Sequence, residues 1–380
     1  MRIAHVVTLL SPDGAYGGPV RVAVNQLTAL AERGHDVTLF ATYRGYDTAP
    51  TSIGDIPVVA FPARTRIPGT GFAGLGSSHL TKEIRRRAAD FDVVHVHLAR
   101  DLVTLPAARA AQRAGVPVFL QTHGMIDRSS NPLAGPLDAL LTRPVLHGAS
   151  SVFYLTGRER DDLIAVGAPE SKLEHLVNGV PDPAPLARVE SSGVDVLFLA
   201  RLHERKRPAH FVRAAIALAC EFPAVTFSLV GPDEGEGDAV RRLIADSGVG
   251  DRIRWEGALA PELTLERMTR SALYVLPSVD EPFPMSVLEA ASLGLPVIVT
   301  DSCGLAPAIE AAGAGAVVGP TLDDLVGGMR ALLKDTHTGN VAGGNARVMV
   351  RQNHSMAEVA RAISTAYEQA ITVHPGPVVR

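Results

Sequence analysis

The feature that most constrains this chain is an alternation, repeated twice, of short β-branched apolar runs with amphipathic stretches. In the first half the runs fall at 3–10, 36–42, 57–61, 92–97, 117–122 and 150–155, with helical patterns such as 19–33 and 101–114 between them. Gly34 and Gly115 stand where helix C-caps belong. A run that is apolar throughout, rather than at every second residue, expects burial on both faces. Repeated strand–helix alternation of that kind implies parallel sheets covered by helices. The pattern breaks at "NGVPDPAPLARVESSG", 178–193, which is rich in proline and small polar residues and reads as an interdomain linker. It then restarts with strands at 194–200, 224–230, 252–256, 272–277 and 296–300. "THTGNVAGGN" reads as a flexible turn before a last helical stretch around 344–371.

At 380 residues the chain is long for one core, and two domains are expected. The boundaries read as 1–180, with a C-terminal helix at about 355–375 packing back on it, and 181–354. Two such domains should face a central cleft. Open α/β sheets bind ligands at the carboxyl ends of their strands, so chemistry is sought in the loops after strands.

Composition removes several classes. Apolar residues are 46%, charged residues 20%, and the formal net charge is −4, so nothing draws the chain toward nucleic acid. Cys220 and Cys303 are too few for a disulfide framework or a cysteine-rich zinc site. No apolar run reaches the roughly 18 residues of a membrane span. A cytoplasmic protein is expected, with peripheral contact at the inner membrane face compatible. The basic stretch "TKEIRRRAAD" reads as a solvated helix face.

Four loops can carry chemistry. In "SPDGAYGGPVRVAVNQL", Gly17 and Gly18 precede Pro19 at a helix start, where backbone N–H groups approach an anion. The alternative reading is a tight turn, for no dinucleotide or Walker fingerprint is present. In "FLQTHGMIDRSSNP", His123 lies just past a buried strand. A lone histidine is commonly structural, but that place points toward function. In "LFLARLHERKRPAHF", Arg201 offers a planar fork for phosphate oxygens and Lys206 a point charge, with Arg207 beside them. The alternative there is a solvated basic turn. In "DEPFPMSVLEA", Glu281 lies in a loop and Glu289 about one turn into a helix starting near Pro284. The helix N-terminus suits an anion, and each carboxylate suits hydroxyls of the same ligand.

These residues resemble a known pattern. "EPFPMSVLEA" is similar to the Glu-x7-Glu signature of retaining GT-B glycosyltransferases of family 4, also called glycosyl transferases group 1. "ARLHERK" resembles that family's Gly-Arg-Leu-x3-Lys segment, with Ala200 for the usual Gly. "GGPVRVAVNQLTALAERGHDVTLF", "LVNGV", "LVGPDEGEG" and "RIRWEGAL" resemble its N-terminal loop and helix, its domain junction and its nucleotide-pocket strands, so the likeness spans most of the chain. It implies a GT-B fold of two doubly wound Rossmann-like domains, the first binding acceptor and the second nucleotide-sugar.

The resemblance also implies roles. Arg201 and Lys206 would hold the donor diphosphate and stabilise the leaving group, with backbone N–H contacts from Gly17 and Gly18. Glu289 would bind the ribose hydroxyls, Glu281 the hydroxyls of the transferred sugar, and His123 would contact the sugar near the reacting centre. Gly231, Pro232 and Asp233, with Trp255, Glu256, Gly257 and Ala258, would frame the base. Pro282, Phe283, Pro284, Met285 and Ser286 would line the phosphate end of the donor site, although many relatives have Gly at the place of Pro284. Tyr16, His97 and Arg128 would meet the acceptor.

The reaction so implied is retaining transfer of a hexose-type sugar from a nucleotide-sugar, UDP-sugar by family frequency, to a hydroxyl of a small molecule, glycan or lipid-linked acceptor. Neither cofactor nor metal is expected. Asp90-Phe91-Asp92 resembles the Asp-x-Asp of metal-dependent transferases, but it stands at the amino end of a strand, away from the expected cleft. His95 and His97 alternate on that strand and share a face, a pattern that also suits metal ligation, with His97 better read as a wall of the acceptor pocket. The rivals are an epimerase of the same fold, a sugar phosphorylase, a non-catalytic sugar-nucleotide-binding protein and a nicotinamide dehydrogenase. Acceptor loops around 44–80 and 124–136 suit specificity but name no acceptor. Closure between the domains is expected.

Overall fold

A computed structural model of the chain describes residues 1–12, 17–129, 131, 133–182 and 193–373. Two compact units emerge: Met1–Gly179 with Met356–Arg380, and Val180–Ser355. Most of the linker read at 178–193, its residues 183–192, lies outside the described residues.

The first unit is built on β1 (Arg2–Leu10), β2 (Asp36–Tyr43), β3 (Ser52–Ile53), β4 (Ile56–Pro62), a small hairpin of β5 (Arg64–Thr65) and β6 (Leu75–Gly76), then β7 (Val93–His97), β8 (Val118–Gln121), β9 (Ser151–Tyr154) and β10 (Leu173–His175). The main sheet runs β10-β9-β8-β7-β1-β2-β4-β3. All its pairs are parallel except β3 with β4, which a two-residue turn makes antiparallel. β7 is buried at all five residues, as a central parallel strand covered on both faces must be.

Side-chain alternation sorts the two faces. Val94, Val96 and Leu120 join one apolar cluster, while Ile3, Val7, Val93 and Phe119 join the other. The second cluster is completed by Met356, Val359, Ile363 and Tyr367 of the helix Met356–Val373. His5, His95 and His97 sit on this same face by the same alternation, so the pattern that buries Ile3 and Val93 also buries three imidazoles.

The second unit carries β11 (Val194–Leu199), β12 (Val225–Val230), β13 (Ile253–Trp255), β14 (Leu273–Leu276), β15 (Val297–Thr300) and β16 (Gly315–Val318). They form one sheet in the order β13-β12-β11-β14-β15-β16, parallel throughout. Counted from β11 this is 3-2-1-4-5-6, the doubly wound order whose direction of winding reverses between β11 and β14.

The second unit departs from the sequence reading at β16 and at "THTGNVAGGN". β16, "GAVV", was not read as a strand: it is short, and Gly315 (φ +157°) is forced by contact, since a Cβ there would lie 1.9 Å from the Val297 carbonyl oxygen. "THTGNVAGGN" is not a turn but the start of the helix Thr336–Asn353. Asp335 caps that helix, accepting from His337 N at 3.0 Å and from the Thr338 hydroxyl at 2.5 Å. Its glycines serve packing rather than flexibility: a Cβ on Gly343 would stand 2.1 Å from the Gly294 carbonyl oxygen. The break between this helix and Met356–Val373 falls at His354 and Ser355.

Candidate active site

In the second unit the loops after β11 and β14 meet where the winding reverses. The loop after β11 passes Arg201 and a short 3₁₀ turn, Glu204–Lys206, before Arg207 takes a left-handed conformation (φ +55°) and the helix Pro208–Ala219 begins. The loop after β14 reaches the helix Met285–Ser292, with Pro284 at its N-cap. The loops are stitched together: Val279 N donates to the Arg205 carbonyl at 3.1 Å, and the Arg205 guanidinium donates to the Asp280 carbonyl. Asp280 is itself left-handed (φ +51°), a non-glycine strain often stored at functional loops.

The charged groups arrive in pairs. Lys206 donates to the Glu281 carboxylate, with both side chains largely buried. Arg201 donates through one guanidinium nitrogen to both oxygens of Glu234, at 2.8 and 2.6 Å. Glu289 lies inside the helix, 6% exposed, and the Gly304 N–H donates to the Glu281 carbonyl at 2.9 Å. Tyr274 on β14 ties the two loops to the sheet, donating to the Leu199 carbonyl at 2.9 Å with Ser286 Oγ at 2.7 Å, and burial pushes its phenol well up. Burial pushes the Cys303 thiol up to about 12, so it stays protonated beside Glu281. Helix Met285–Ser292 leaves its first N–H groups outside the helical ladder, a fit for anionic oxygen. Phe283 packs edge-on against His354, 5.6 Å between ring centres.

Around β12 and β13 the residues expected to frame a base form one braced turn. Gly231 N donates to the Gly257 carbonyl at 2.8 Å, and Trp255 Nε1 to the Gly231 carbonyl at 3.0 Å. Asp233 accepts from Gly235 N and Gly237 N at 2.9 and 2.8 Å, which holds its carboxyl below the usual range. Glu256 is bound to Arg267, which also reaches Asp195 at 3.2 Å. Pro232, Ala258 and Pro282 belong to the same loops.

In the first unit the helix Gly17–Glu32 opens at Gly17 and Gly18, directly after the β1 loop; Tyr16 lies outside the described residues. His123 sits in the turn after β8 with φ +51°. Glu159 supports that turn from behind, accepting from the Thr122 hydroxyl and from Gly124 N, each at 2.6 Å, and from Leu155 N at 2.6 Å. The His123 ring bonds His97 (2.8 Å, Nε2 to Nδ1) and stacks on it at 5.1 Å. Desolvation lowers the His123 pKa to about 3, so the ring is neutral near pH 7. Arg128 is exposed, and beside it Asp127 is bound to Arg100.

His97 requires a correction. It is 1% exposed, with one ring nitrogen bonded to His5 and the other to His123, so it lines no open wall; His123 stands between it and the surface. Among the described residues no three His, Cys, Asp or Glu side chains gather as a metal would require. Asp92 accepts from Arg2 N at 2.7 Å at the amino end of β7.

Sequence reasoning missed Glu234 and Glu159. Glu234 was visible only as one of several acids in "DEGEG". Glu159 follows Thr156 by three residues, which reads as a helix capping pair. The fold turns its carboxylate toward the His123 turn instead.

Comparison with known proteins bears on this geometry. Residues 17–179 match the model of the glycosyl transferase 4-like domain, and residues 189–349 that of the glycosyl transferases group 1. A D-inositol 3-phosphate glycosyltransferase of Gordonia bronchialis is 26% identical over 97% of this chain and 87% of its own. A 2-deoxystreptamine glucosyltransferase of Streptomyces kanamyceticus is 28% identical over 64% of this chain and 68% of its own. The fold is also that of the Anabaena protein HepE, crystallised with UDP and glucose: TM-score 0.77, 19% identity, 97% of this chain and 99% of that one.

Proposed function

The chain belongs to the group 1 glycosyltransferases, and on that premise we propose that it moves a hexose-type sugar from a nucleotide-sugar, UDP-sugar first, to a hydroxyl acceptor with retention at the anomeric carbon and without a metal. The observation that carries this reading is the placement of Arg201, Lys206 and Glu281 on two stitched loops, and of Glu289 on the helix that follows the second, at the reversal point of the second sheet. The complex of HepE with UDP and glucose supports the choice of uridine donor.

In this reading the anomeric C–O bond breaks and its electron pair leaves with the diphosphate. The acceptor oxygen bonds to the anomeric carbon from the same face, and its proton passes to the departing phosphate oxygen. Positive charge grows on the sugar and negative charge on the phosphate, so fixed cations and helix N–H groups at the phosphate are the main lever. Lys206 and Arg201 supply the cations, the helix Met285–Ser292 the N–H groups. Each cation exchanges a carboxylate partner for phosphate when donor arrives: Lys206 turns from Glu281, which is freed for the sugar hydroxyls, and Arg201 turns from Glu234. Glu289 takes the ribose, and His123 the moving sugar. Gly17 and Gly18 give N–H groups to the diphosphate, Gly231 to Asp233 and Trp255 to Ala258 frame the base, and Arg128 belongs to the acceptor side.

The test is a panel of UDP-, GDP- and ADP-sugars, assayed for binding, hydrolysis and transfer with and without EDTA. Absence of both binding and turnover across the panel sinks the proposal, and loss of activity in EDTA sinks the metal-free mechanism. Glu289→Gln should weaken binding of the bare nucleotide, whereas Glu281→Gln should mainly lower turnover.

A further inference from the structure

Four imidazoles and one phenol form a single hydrogen-bonded chain inside the first unit. His95 Nδ1 meets the Tyr367 hydroxyl at 2.5 Å, and that hydroxyl meets His5 Nε2 at 3.2 Å. His5 Nδ1 meets His97 Nε2 at 3.1 Å, and His97 Nδ1 meets His123 Nε2 at 2.8 Å. His5, His95 and Tyr367 are fully buried and His97 is 1% exposed; His123 alone is partly open. Register explains the assembly: His5 and His95 pair across β1 and β7, and Tyr367 drops onto both from the helix Met356–Val373. Burial lowers the pKa of all four rings, so each carries one proton at neutral pH.

Proton counting then restricts the chain. Five groups bring one proton each, and the four contacts take one each. The fifth proton has three possible places: His123 Nδ1, the Tyr367 hydroxyl pointing off the chain, or His95 Nε2. His95 Nε2 is buried and has no hydrogen-bond partner among the described residues. The last two places therefore bury a donor without an acceptor, the rarest kind of orphan in a folded interior. The first leaves only a lone pair on His95 and puts the proton on the one ring that solvent or a ligand can reach.

We propose that this chain is a one-way relay, from His95 through Tyr367, His5 and His97, that holds His123 as the tautomer protonated on Nδ1. His123 then always presents a donor to a sugar oxygen, and His97 is a positioning residue that acts through it. The kinetic part rests on His123 as a sugar contact; the tautomer does not.

The experiment is two-bond ¹H–¹⁵N correlation NMR on the full chain labelled with ¹⁵N-histidine, which separates Nδ1–H from Nε2–H rings, the His123 signal being assigned by its loss in His123→Gln. Wild type should show His123 protonated on Nδ1. Tyr367→Phe removes the donor to His5 and His97→Leu the donor to His123, and each should bring up an Nε2–H population. In transfer assays His97→Leu should lower kcat about tenfold with the donor KM within about twofold. His97→Gln should recover most of that loss, because its amide accepts from His5 and donates to His123. An Nε2-protonated His123 in wild type overturns the proposal, as does an Nδ1–H signal unchanged in both Tyr367→Phe and His97→Leu. If the tautomer behaves as stated and His123→Ala still turns over normally, the relay stands and the sugar-contact reading of His123 falls.

Discussion

Burying His5, His95 and His97 as neutral rings makes the first unit sensitive to mild acid. Each has its pKa lowered well below the ordinary 6.5, first by desolvation and then by a neighbouring histidine. The unfolded chain takes up these protons near pH 6.5 while the folded chain does not, so stability rises with pH: it is fully present above 6.5 and is lost as pH falls below it. Between pH 7.5 and 5.5 the loss is about 1.4 kcal/mol for each ring that stays neutral when folded, or about 4 kcal/mol for these three, and His123, lowered to about 3, adds a fourth such share. About 4 kcal/mol is a large share of a typical domain's stability. Urea unfolding followed by far-UV circular dichroism at the two pH values measures it. Trp255 is the sole tryptophan and lies in the second unit, so its fluorescence follows that unit separately. His95→Gln removes one of the four rings and should shrink the loss by about a quarter. Equal losses in wild type and His95→Gln, or no loss at all, would refute the reasoning.

Other perturbations test the site. Glu234→Gln removes the carboxylate charge paired with Arg201 and should tighten UDP binding severalfold by calorimetry; weaker binding would mean that Glu234 itself holds the ligand. Glu159→Gln leaves one acceptor oxygen where the carboxylate uses two, costing about 1–3 kcal/mol by chemical denaturation and lowering kcat through the His123 turn. Gly231→Ala puts a Cβ 2.0 Å from the Ala200 carbonyl oxygen at φ +149° and should destabilise the second unit by about 3 kcal/mol or more in Trp255-monitored unfolding.

Much of the architecture is legible in the chain because continuous apolar runs between helical patterns admit few arrangements other than parallel sheets under helices. Eleven of the strands announce themselves that way, and β16 does not because a glycine made necessary by a neighbouring carbonyl weakens its signal. Glycine misleads again in "THTGNVAGGN", where sequence cannot tell a glycine that loosens a turn from one that lets a helix approach Gly294. Loop positions after strands likewise single out Arg201, Lys206, His123, Glu281 and Glu289, since topology confines ligands to those ends. What a sequence lacks is the partner of each charge. Arg201 with Glu234, and Glu159 with the His123 turn, are encounters between residues more than thirty positions apart. The histidine chain is the extreme case: His5 and Tyr367 stand 362 positions apart. Sequence alone puts His95 and His97 on one face of a strand; only strand register and the docking of the last helix decide that they bond to each other's neighbours rather than to a metal or an acceptor. Periodicity is a local property and survives in the string of letters, whereas hydrogen-bond partnership is set by which elements the fold brings into contact.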